Sequence, residues 1–139
     1  MNISHFLKVF AAAYPLFILM DITWIGLIMN NAYKASIGGL LRTASNGQMA
    51  PHIPASLLVW AFIVFGAILF VLPYAKNASL LGQFGWGALY GLVLYGMYDF
   101  TNFAILAQWP LGITLIDLGW GMLVNGLFAV ILVWLNRLF

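Results

Sequence analysis

Three aspartates, Asp21, Asp99 and Asp117, make up the whole acidic complement of this 139-residue chain, and each lies inside a hydrophobic run rather than in a loop. A charged side chain at the centre of a bilayer-spanning helix costs about 2.5–3.5 kcal/mol on insertion scales, so it marks a functional position by default. Each aspartate has polar or aromatic company within a helical turn. Trp24 follows Asp21 by three residues, Trp120 follows Asp117 by three, and Tyr95, Tyr98 and Asn102 surround Asp99. Residues three or four apart share a helix face. Carboxylates in such surroundings can hold a proton, pair with a cationic ligand over an aromatic face, or bind a hard ion through oxygen. Asp21, Asp99 and Asp117 are therefore the candidate metal ligands, with a divalent hard cation such as Mg²⁺ or Ca²⁺ the candidate cofactor. All eight residues form the candidate ligand-binding set.

The elements that must position them are membrane helices. Sixty-five per cent of residues are hydrophobic and 6% are charged, against about 25% charged in soluble domains, so lipid must be the solvent of this chain. The five cations, Lys8, Lys34, Arg42, Lys76 and Arg137, are scattered singly near expected helix ends, which provides no nucleic-acid patch. With no cysteine, disulfides and thiolate chemistry are excluded. His5 and His52 have no histidine on an adjacent turn and suggest no haem ligation.

Hydropathy predicts an all-α integral membrane protein, a single domain with four spans at 6–29, 55–73, 83–106 and 111–136. Each span is long enough to cross a hydrocarbon core of about 30 Å at 1.5 Å per residue. The first is read as a retained span rather than a cleaved leader, because Lys8 interrupts the apolar run before Ala11-Ala12-Ala13. The polar connection between the first two spans carries Ile37, Leu40 and Leu41 at helical spacing, which predicts a short interfacial helix, with a lid over the site as the second reading. Trp60 in the second span is read as packing or lipid contact. Gly87 and Gly91 in the third form a small-xxx-small pair for close helix approach, and continuing by fours brings Tyr95 and Asp99 onto that face.

Depth then unites the three carboxylates. Asp21 is eight residues before the end of its span, Asp99 seven before the end of its own, and Asp117 six after the start of its own. These ends share one membrane face, so the carboxylates converge about 9–12 Å below it. No Lys or Arg stands at that level, and repulsion between the aspartates is relieved by protonation or by a bound cation. Asp21-Ile22-Thr23-Trp24 is echoed by Asp117-Leu118-Gly119-Trp120, a weak signal of related halves.

Tyr98-Asp99-Phe100-Thr101-Asn102, Trp109-Pro110-Leu111 and Asp117-Leu118-Gly119-Trp120-Gly121 resemble a family of small bacterial predicted membrane proteins catalogued only as a domain of unknown function. The resemblance implies four spans and a bacterial plasma-membrane location, and no activity. The charge bias of the loops places the termini in the cytoplasm. The expected function is binding of a cation, proton or small amphiphile at the aspartates, with transport as an extension. An intramembrane lipid-modifying enzyme using the carboxylates as metal ligands or acid/base groups is the alternative, and a structural membrane subunit the third. The expected partners are the lipid bilayer and a second copy in a homodimer, with Gly87 and Gly91 as its contact face.

Overall fold

Long apolar runs become helices because lipid offers no partner for backbone N–H and C=O groups, which must then bond within the segment. The computed structural model, which describes residues 2–139, is accordingly all-helical among those residues, apart from an isolated bridge between Thr43 and Met49. Helix α1 is Ile3–Ile22, extended by a π-helical turn, Thr23–Ile28. A short α2, Asn30–Ile37, follows directly. The second long segment consists of α3 (Ile53–Gly66), a second π-helical turn (Ala67–Val71) and α4 (Leu72–Ala75). Then come α5 (Leu80–Ile105) and α6 (Leu111–Leu138). These bounds depart from the expected ones by three residues at most. Ile3–Ile28, Ile53–Ala75 and Leu111–Leu138 are long and apolar enough to cross a membrane; in α5 the glycines and the polar Gln83, Asp99 and Asn102 dilute the hydropathy.

Local chemistry sets the ends. Asn2, His52 and Ser79 cap α1, α3 and α5 by accepting from the backbone N–H three residues on. Pro73 lacks an N–H and crowds the carbonyl four residues back, which accounts for the widened turn just before α4.

The most extensive pairing is α5 against α6. A Cβ at Gly87 would collide with the Asn125 carbonyl, and one at Gly91 with the Gly121 carbonyl. In return Gly121 and Gly126 leave room for the rings of Tyr95 and Phe84. The small-residue face is thus filled by α6 of the same chain, which corrects its expected use as a contact between two copies. Toward the termini the bundle is apolar: Val9 and Phe17 of α1, Val64 of α3, and Phe128 and Leu132 of α6 form one core. Phe17 and Phe128 meet edge to face at 4.9 Å. All three aspartates lie at the other end, beneath α2.

Candidate functional site

Four helices meet at Asp21. It stands on the last turn of α1, and its oxygens accept from donors on three other helices. Trp60 Nε1 of α3 donates to Oδ2 at 2.7 Å; the Tyr95 hydroxyl of α5 and Trp120 Nε1 of α6 donate to Oδ1, each at 3.0 Å. An ionised carboxylate only accepts, so three donors suit it without conflict, and bonds to an ionised group are the strong ones. Tyr95 reaches Asp21 past Gly121, whose missing side chain leaves space for the ring.

Asp117 is engaged through the loop. Helix α2 buries Tyr33, whose hydroxyl donates to Asp117 Oδ1 and accepts from Trp24 Nε1 at 3.2 Å. Burial, reinforced by the bond to Asp117, pushes the Tyr33 phenol well above the ordinary tyrosine range and keeps it a neutral donor. Below it, Trp24 and Trp120 stack with centroids 4.4 Å apart and planes 1° from parallel. The two Asp-x-x-Trp turns echoed in the sequence therefore meet in space. Trp120 serves Asp21 directly, and Trp24 reaches Asp117 by way of Tyr33. The π-helical turn after Asp21, closed by Met29 N–H to Trp24 C=O at 2.8 Å, carries Trp24 into this stack; such turns recur at functional sites.

Asp99 differs from both. It is fully buried on α5, and neither of its oxygens has a hydrogen-bond partner among the described residues. A carboxylate taken from water without a partner costs several kcal/mol. The side chain lines a cavity of about 560 Å³ together with Asp21 and Asp117, a volume within the range of small-molecule sites. Trp24, Tyr95, Tyr98 and Trp120 also face this cavity. Tyr98 is largely exposed and lies edge-on to Trp109, centroids 6.0 Å apart. Asn102, the eighth expected residue, is absent from the wall; its amide nitrogen is buried without a partner. Among the described residues no group of three or more His, Cys, Asp or Glu side chains is arranged to hold a metal ion, and Asp21 already has both oxygens engaged by neutral donors.

Residues 6–134 match the family described as Predicted membrane protein (DUF2177). The chain belongs to this family. The resemblance carried by Tyr98–Asn102, Trp109–Leu111 and Asp117–Gly121 is thereby shown, and the family description agrees with three helices able to cross a membrane. No curated protein and no solved structure matches the chain.

In this family member the cavity also uses residues outside the expected set. Trp60, expected as packing or lipid contact, is a donor to Asp21. Its signal was position: seven residues past Ile53, it lies about 10 Å along α3 from the end that follows the polar connection. Tyr33 precedes Ile37 by four residues, so the two share a face of α2, and both are buried against Trp109 and Ile113. Trp109 is held in turn by its indole N–H to Thr114 Oγ1 at 3.1 Å.

Proposed function

We propose that this protein is a four-span membrane protein that binds a small cationic, partly apolar ligand at Asp99. One observation carries the reading. A buried carboxylate with both oxygens unpartnered belongs to a residue lining an aromatic cavity, while Asp21 has both oxygens engaged by Trp and Tyr donors and Asp117 has one engaged by Tyr33. An ammonium group supplies both the charge and the N–H donors that Asp99 lacks. The indole and phenol rings around it suit a cation and its apolar substituent. Asp21, held by Trp60, Tyr95 and Trp120, fixes the walls.

The fourth span in this reading is α5, whose polar residues Gln83 and Asp99 are turned away from lipid by burial. Helix α2 then lies at the interface as a cover over the site. Lys8, Lys76 and Arg137 on the side of the termini outnumber Lys34 and Arg42 opposite, which favours cytoplasmic termini in a bacterial plasma membrane.

The test is tryptophan fluorescence of detergent-solubilised protein titrated with hexylammonium and, separately, with uncharged hexanol. Hexylammonium should bind more tightly than hexanol, and Asp99→Asn should weaken it by about tenfold or more without loss of helicity. Equal binding of the two probes, or full retention of hexylammonium binding by the variant, would defeat the proposal.

A further inference from the structure

The cavity wall reaches the side of the bundle between α3 and α5. Helices α3 and α5 are tied where the Tyr90 hydroxyl donates to the Ile63 carbonyl at 3.1 Å over the bare backbone of Gly66. Toward the loop end the two helices approach each other little. There the cavity wall includes Val59 and Phe62 of α3 and Leu94 and Tyr98 of α5. Val59, Phe62 and Tyr98 are 55%, 70% and 60% exposed, so these wall residues also face the surroundings of the bundle. Above, α2 closes the cavity with Tyr33 and Ile37, backed by Leu41 and Met49. The exposed part of the cavity wall is therefore lateral, between α3 and α5.

Resting on the Asp99 reading, we propose that the ligand is a lipid with an amine headgroup, which enters between α3 and α5 and leaves its chain in that gap. The gap begins near the headgroup level. Ser56, three residues into α3, lines the cavity about 5 Å below the membrane face, and Phe62 lies about 14 Å below it. A headgroup entering beside Ser56 needs to descend only about 5 Å to meet Asp99. Its chain remains among Val59, Phe62 and the surrounding lipid, so apolar surface stays out of water throughout. A water-soluble amine would instead have to pass the Tyr33–Asp117 contact.

Native mass spectrometry with octadecylammonium and with short, soluble hexylammonium separates the two sources of the same headgroup chemistry. Val59→Phe and, independently, Leu94→Phe narrow the gap without touching a carboxylate, and thermal melts verify that each variant folds. Wild type should hold both amines, and each variant should weaken octadecylammonium about tenfold more than hexylammonium. Equal retention of both amines by both variants, or equal loss of both, overturns lateral entry. Wild-type binding of hexylammonium without octadecylammonium overturns it too, leaving the Asp99 site standing. Failure of wild type to bind either amine removes the Asp99 reading itself.

Discussion

Replacing Asp21 by asparagine keeps size and shape but exchanges one accepting oxygen for an NH₂ donor. Two of its three partners, Tyr95 and Trp120, share Oδ1, and an amide oxygen with two lone pairs can keep both. Trp60 uses Oδ2, so its indole N–H would face another donor. Hydrogen bonds to charged groups contribute about 1.5–3 kcal/mol in soluble proteins, and interhelical bonds within membranes average about 0.6 with a maximum near 1.7. Losing the Trp60 bond and weakening the other two therefore costs about 2–4 kcal/mol in Asp21→Asn. Trp60→Phe alone should cost about 1–2 kcal/mol. In the Asp21→Asn background the same change should cost little, because the orphaned donor goes with the indole. Equilibrium unfolding by circular dichroism, run as a double-mutant cycle, should give a coupling of about 1–2 kcal/mol. Additive effects would refute the carboxylate hub and reduce Trp60 to a packing residue.

Gly91→Ala should destabilise by about 1–3 kcal/mol by forcing α5 away from the Gly121 carbonyl. Gly85→Ala, where nothing lies within 4 Å of the new methyl, should be neutral or stabilising by up to about 1 kcal/mol, and chemical denaturation of the pair checks the contrast. Tyr33→Phe removes the donor to Asp117 and the acceptor for Trp24; hydrogen exchange of α2 should accelerate while α5 and α6 stay protected. Single cysteines at Ser4, Ser45 and Ser79 report the span count: positions 4 and 79 should label from one side and 45 from the other, and labelling of all three from one side would contradict four spans.

Helical character and the meeting of the three carboxylates at one cavity were legible because both follow from a rise of 1.5 Å per residue along continuous apolar runs. The close approach at Gly87 and Gly91 was legible as a surface, but its partner was not. Which helix fills a small-residue face depends on how four segments rotate together, and here Gly121 and Asn125 of α6 fill it. The same holds for the aspartates. Their neighbours along the chain were visible, yet Trp60 and Tyr33 come from 39 and 84 residues away to engage Asp21 and Asp117. Along the chain, Asp99 is set apart by its small-residue face and its two tyrosines. Its lack of partners is a property of the assembled bundle.

The central claim is that Asp99, rather than Asp21 or Asp117, pairs with the cationic group. Solid-state dipolar recoupling between ¹⁵N-labelled hexylammonium and ¹³Cγ-labelled aspartates in lipid measures this directly. The predicted result is strong dephasing of the Asp99 carboxyl carbon, consistent with an N–O separation of about 2.7–2.9 Å, and its disappearance in Asp99→Asn. Dephasing centred on Asp21 or Asp117, or none at any aspartate while the amine is bound, would contradict it.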